Sequence, residues 1–235
     1  MTENIATDGA FLALIFRLWN GTESSALSRF WGVRMDQGGG STIRNYVRRY
    51  VDSPEPMTIV CDRDSAGWPA CGDTAKACVD DIVHHGLFDC RESAKAGGFS
   101  PSNPHFAFDV LDAWSVESLV LPHLSQLLMN STMNAVETNQ RIEIITGDHP
   151  AYPSMQEDGP ERWLSTNFKK YNNGSSAWNS NSIQRFIDWT NRSIDNFAEA
   201  KAAFDLDYSI PQFRRAIDKT CKLLMAIGVR DQKLM

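Results

Sequence analysis

The stretch MTIVCDRDSAG, residues 57–67, decides how the chain is read. Met57, Ile59, Val60 and Cys61, with Thr58 among them, make a short apolar run of the kind found in fully buried strands. The run stops at Asp62-Arg63-Asp64 and turns on Ser65-Ala66-Gly67. Side chains alternate faces along a strand, so carboxylates at i and i+2 point the same way. Two like charges so placed repel unless a cation, a proton or open solvent relieves them. A hard cation such as Mg²⁺ takes carboxylate oxygens and can polarise a phosphoryl oxygen. The ordinary structural alternative has one aspartate capping the following helix and the other solvated.

The elements on either side set the fold class. Upstream, DGAFLALIFRLW (8–19) is expected as a helix with Asp8 at its cap, and SRFWGVRMDQ (28–37) as a short strand. Gly38-Gly39-Gly40 breaks the chain before the helix STIRNYVRRYV. Downstream, GDTAKACVDDIVHHGLF predicts a helix capped by Asp73 or Thr74, and RESAKAGGFSPSNP (91–104) a loop. HFAFDVLDA reads as a strand, and WSVESLVLPHLSQLLMN as a helix with Pro122 in its first turn or at a kink. RIEIIT (141–146) is a short strand or a helix end, and three helical segments follow from ERWLSTNFKKY onward. The expected fold is therefore α/β. A mostly parallel sheet flanked by helices occupies 1–130, and a mainly helical elaboration, 131–235, packs on it. Such sheets bind ligands at the carboxyl ends of their strands, where Asp62 and Asp64 fall.

Composition narrows the class. With 42% hydrophobic residues in a chain of 235, a real core is expected and wholesale disorder is not. A net charge of −6 argues against a generic nucleic-acid coat, though an acidic metal centre beside a local basic patch fits it. Cys61, Cys71, Cys78, Cys90 and Cys221 form no CxxC pair, which argues against zinc and against a disulfide framework. Reduced thiols, no visible signal peptide and no span-length apolar run predict a cytoplasmic protein without a membrane anchor. A homo-oligomer is compatible with all of this.

Other side chains are weighed against bland roles. Arg44, Arg48 and Arg49 follow the triple glycine and form either a phosphate-contacting patch or a solvated face. Arg63 is either a phosphate contact or half of a surface ion pair. Glu117 favours a helix start by its charge or belongs to the acidic site, and Asp109 and Asp112, on the same strand end, are alternative ligands. His84 and His85 are adjacent on a helix and cannot face one ligand together. His149 is a weak metal or base candidate. Lys169, Lys170 and Tyr171, with Trp163 and Trp178, either meet nucleic acid by charge and stacking or form a helical core with a solvated rim.

Several motifs carry a family resemblance. IVCDRDSAG followed by a helix resembles the DxD motif of Toprim domains. TENIATDGAFLALIF is similar to that family's earlier Glu-Gly-x-x-Asp motif, with one more residue of spacing and Asn4 in the glycine's place. GGGSTIRNYVRRYV resembles the turn and helix between the two acidic motifs. FAFDVLDAWSVESLVLP resembles a strand and helix start in Toprim-like proteins that accompany overcoming-lysogenization-type ATPases, and it puts Glu117 at their glutamate. GPERWLSTNFKKY and IPQFRRAIDKTCKLL are similar to late helices of the same proteins.

The resemblance implies a Toprim-like nuclease dependent on Mg²⁺ or Mn²⁺, an effector in phage defence, with nucleic acid and an ATPase as partners. Glu3, Asp62 and Asp64 would hold the metal, Glu117 would complete the catalytic set, and Arg44, Arg48 and Arg63 would contact nucleic acid. Two other readings stay open. One is a catalytically degraded Toprim-like subunit with a regulatory or assembly role. The other is a DxD phosphatase with Asp62 as nucleophile, although Ser65-Ala66 depart from that family's pattern.

Overall fold

The computed structural model describes residues 9–21, 43–51, 55–65, 70–134, 138, 159–168 and 180–232. The strand expected at 28–37 and the short strand or helix end expected at 141–146 lie outside them. In chain order the elements are α1 (Ala10–Asn20), α2 (Ile43–Tyr50), β1 (Met57–Cys61), α3 (Asp73–His84), α4 (Arg91–Ala96), β2 (Gly98–Phe99) and β3 (Phe106–Val110). A 3-10 turn (Val116–Leu119) follows, then α5 (Pro122–Thr132), α6 (Gly159–Leu164), α7 (Ser180–Arg192), α8 (Ile194–Tyr208) and α9 (Pro211–Gln232).

The described residues are mixed α/β, with helices dominating and one small sheet. The described sheet has three strands in the order β1-β3-β2. β1 and β3 are parallel, in register from Met57 opposite Phe106 to Cys61 opposite Val110. β2 is antiparallel to β3. The sheet is therefore mixed rather than mostly parallel. All five residues of β1 and all five of β3 are buried, as strands covered on both faces must be.

Alternation divides these strands between two cores. Met57, Ile59 and Cys61 of β1 and Phe106, Phe108 and Val110 of β3 pack with Val47 of α2, Ala94 of α4 and Ala75, Cys78, Val79 and Ile82 of α3. Val60 faces the other way, into a larger core built from α1, α5 and α7–α9. That core includes Phe11, Leu14, Leu124, Phe186, Phe204 and Phe213, so it joins residues from both sides of residue 130.

The glycine- and serine-rich segment 91–104 is not the loop its composition suggests. Ser93 Oγ donates to the Cys90 carbonyl (2.9 Å) and accepts from the Cys90 N–H (3.3 Å), which nucleates α4. Gly97 ends α4 with φ 78°. A side chain there would also crowd the Asp109 carboxylate, 3.1 Å from the position a Cβ would take. Gly98-Phe99 then adds the edge strand. Pro122 is a first-turn residue of α5 rather than a kink, and the helix expected from Trp114 onward is divided into the 3-10 turn and α5.

Candidate functional site

β1 and β3 end together, and the Leu111 N–H donates to the Cys61 carbonyl at 3.0 Å. Beyond Cys61 the Asp62–Ser65 loop is laced to two neighbouring segments. On one side, the Val116 N–H donates to Asp62 Oδ1 at 3.0 Å and the Asp64 N–H donates to the Trp114 carbonyl at 2.8 Å. On the other side, the Gly72 N–H donates to the Arg63 carbonyl at 2.6 Å and Ser65 Oγ donates to the Ala70 carbonyl at 2.6 Å. The loop thus lies between the N-terminal approach to α3 and the turn that carries Glu117.

Gly72 is required by this packing. A Cβ at its position would lie 2.5 Å from Asp64 Cβ. Gly72 stands at the N-cap of α3, so neither Asp73 nor Thr74 is the cap. Asp64 itself has φ 50°, in the left-handed region, which aspartate tolerates better than most residues. Asp62 is 3% exposed, and its carboxylate is oriented by the Val116 N–H rather than spent on capping α3.

Glu117 is half-buried, and Ser115 Oγ donates to its Oε2 at 2.7 Å. The backbone bonds therefore bring the DxD loop and the Glu117 turn into one place. Glu3 lies outside the described residues. Mg²⁺ or Mn²⁺ suits oxygen donors of this kind. Among the described residues, however, no group of three or more His, Cys, Asp or Glu side chains is placed to hold a metal ion. The donor chemistry matches the cation and the described donor number falls short of it.

Arg63 is not on the surface. It is 6% exposed; its Nε donates to the Ser65 carbonyl (3.1 Å) and its Nη2 to Ser165 Oγ (3.5 Å). Burial draws its pKa below the ordinary arginine value, with Asp112 opposing the shift. Arg48 is exposed and pairs with Asp81 of α3 at 3.6 Å. For Arg44 the structure describes the helical backbone only.

Asp109 and Asp112 answer to a cation of the protein instead of forming an alternative ligand set. Lys219 Nζ of α9 lies 3.0 Å from Asp109 Oδ1 and 3.1 Å from Asp112 Oδ1, and donates to the Val110 carbonyl at 2.7 Å. Thr220 Oγ1 donates to Asp109 Oδ2 at 2.6 Å. Burial works against the Lys219 charge, but Asp109 and Asp112 outweigh it and hold its pKa above the ordinary lysine range. This cluster clamps α9 to the end of β3. Nothing local to HFAFDVLDA announces it, because the partners lie more than 100 positions along the chain.

Trp163 is fully buried against Phe168, with ring centroids 4.9 Å apart, so it is a core residue and not a stacking platform. His84 and His85 sit at the C-terminal end of α3, as expected. His149, Lys169, Lys170, Tyr171 and Trp178 lie outside the described residues. All five cysteines are free thiols, and no described helix is long and apolar enough to cross a membrane. In comparisons with family models, curated proteins and solved structures, nothing matches the chain.

Proposed function

We propose that the chain is a Toprim-like, divalent-metal-dependent nuclease that cleaves DNA or RNA in the cytoplasm, as a phage-defence effector working with an ATPase partner. One observation carries the reading. The Val116 N–H bond to Asp62 ties the DxD loop to the Glu117 turn, at the carboxyl ends of two parallel strands. A buried carboxylate oriented by a backbone donor is pre-organised for a task beyond solvation. Asp62 and Asp64, with Glu117 nearby and Glu3 from the N-terminal segment, are the residues that would hold Mg²⁺ or Mn²⁺. The bound ion would supply charge stabilisation at a phosphoryl oxygen. Arg63 would meet the phosphate of the substrate, with Arg44 and Arg48 as outer contacts.

A second reading is favoured by a specific feature. Asp62 and Glu117 each already accept a hydrogen bond from the protein, and the described acids do not gather in threes. That suits a Toprim-like subunit that has kept the scaffold and lost the chemistry. Labelled DNA and RNA, incubated with Mg²⁺ or Mn²⁺ and with the ATPase partner present, separate the two. The nuclease reading expects cleavage that falls by about 100-fold or more in Asp62→Asn, Asp64→Asn and Glu117→Gln. Asparagine is chosen at 64 because it also tolerates the left-handed backbone. Absence of cleavage in the wild type, with partner binding intact, supports the subunit.

A further inference from the structure

Beside the DxD loop the structure opens into a cavity of ≈ 550 Å³, walled by Arg63, Asp112, Glu161, Ser165, Arg215 and Lys219. This is within the size range of small-ligand sites. The three cations in its wall are not equivalent. Lys219 is committed to Asp109, Asp112 and the Val110 carbonyl. Arg215 reaches Glu161 only at 3.7 Å, and both side chains are well exposed, so that pair is weak.

Arg63 stands apart. It is buried, its two hydrogen bonds go to neutral oxygens, and among the described residues it forms no ion pair with a carboxylate. A guanidinium offers five N–H donors, so most of its capacity is unused. No carboxylate lies within ion-pair distance of it among the described residues, and the Asp112 charge offsets only part of the cost of its burial, so an entering anion would relieve the remainder. The planar fork of arginine matches phosphate oxygens in particular. Arg215, on α9, supplies a second fork from the opposite segment of chain, and Ser165 Oγ a hydroxyl donor.

The wall also holds Glu161, an acceptor that would repel a bare anion but suits the hydroxyl or amino groups of a nucleotide. We infer that this cavity binds the phosphate of a nucleotide unit, gripped by Arg63 and Arg215. The cavity and its charges are the ground for a phosphate. Taking a nucleic-acid strand as its source rests on the nuclease reading above.

The test is calorimetric titration of the full chain, in EDTA, with a 5′-phosphorylated tetranucleotide, its unphosphorylated counterpart and inorganic phosphate. The phosphorylated strand is expected to bind about tenfold more tightly than the unphosphorylated one, the worth of one charge-assisted contact. Arg63→Gln should erase that preference, and Arg215→Ala should reduce it several-fold. Arg215 is exposed, so its variant keeps the test decisive if Arg63→Gln fails to fold. Equal binding of the two strands, or a preference undiminished in Arg215→Ala, overturns the inference. Binding of inorganic phosphate without the phosphorylated strand overturns the nucleotide assignment. A phosphate preference in a protein that cuts nothing leaves the cavity standing and removes the nuclease reading. Cleavage without that preference does the reverse.

Discussion

Asp218 shows how one carboxylate can join three helices. It accepts from Trp19 Nε1 of α1 at 3.0 Å and from the Tyr208 hydroxyl of α8, and it pairs with Lys222 one turn along α9. Partial burial pushes its pKa up, but the bonds from Lys222, Tyr208 and Trp19 prevail and hold it below the ordinary aspartate value. A carboxylate with a depressed folded pKa adds stability above its unfolded pKa and loses it as pH falls through the folded pKa. Asp218→Asn should therefore cost about 1 kcal/mol at pH 7, and the gap to wild type should shrink below about pH 4. Urea melts at pH 7 and pH 3 check this; a gap that does not change with pH would refute it. At this scale the sequence was partly legible. An apolar run that ends on two acids marks Asp62 and Asp64 with no partner in view. The commitment of Asp109 to Lys219 and Thr220, the burial of Arg63 beside Ser165 and the need for glycine at position 72 all depend on contacts distant in sequence or on close backbone approach. No window of neighbouring residues encodes them.

Among the elements, α5 is capped from outside its own segment. Its N-cap, Leu121, offers no side-chain acceptor. Asp207 of α8 fills the gap, accepting from the backbone N–H groups of His123 and Leu124 at 3.1 Å and pairing with the His123 ring at 2.8 Å. Asp207 is fully buried and so is Leu124, so its removal strands the Leu124 N–H away from water, whereas His123 is exposed. Asp207→Ala is expected to destabilise the protein by about 2–4 kcal/mol, and Asp207→Asn, which keeps one acceptor, by less. Thermal unfolding of both variants reads the order; an alanine variant as stable as wild type would refute the tertiary cap. The strands β1 and β3 and the helix α9 were legible because their apolar patterns are strong, whereas the single helical segment expected over 182–204 is split into α7 and α8 at Ser193, whose Oγ accepts from the Asn196 N–H. α4 and β2 were not, because a six-residue helix closed by a reciprocal Cys90–Ser93 cap and a two-residue strand carry little periodicity. The sheet's antiparallel edge was lost with them.

At the scale of the whole molecule, the small sheet is a partition between two cores. One holds α2–α4; the other holds α1, α5 and the helices of the second half. The strands carry their polar ends out of this partition at one edge. There the DxD loop, the Glu117 turn, α6 and α9 converge, and the cavity lined by Arg63 and Arg215 adjoins them. An α/β class with a helical second half was readable from the order of the segments. The way α9 returns to clamp the end of β3 was not, because topology is a property of the packed chain. The proposal that Asp62 and Asp64 of the DxD loop hold a divalent cation together with Glu3, with Glu117 in support, is tested most directly by titrating the protein with Mn²⁺ and following free Mn²⁺ by electron paramagnetic resonance. The account predicts saturable binding in the wild type that is lost in Asp62→Asn and Asp64→Asn and weakened in Glu117→Gln. A wild type that takes up no Mn²⁺, or variants that bind it as the wild type does, would contradict it.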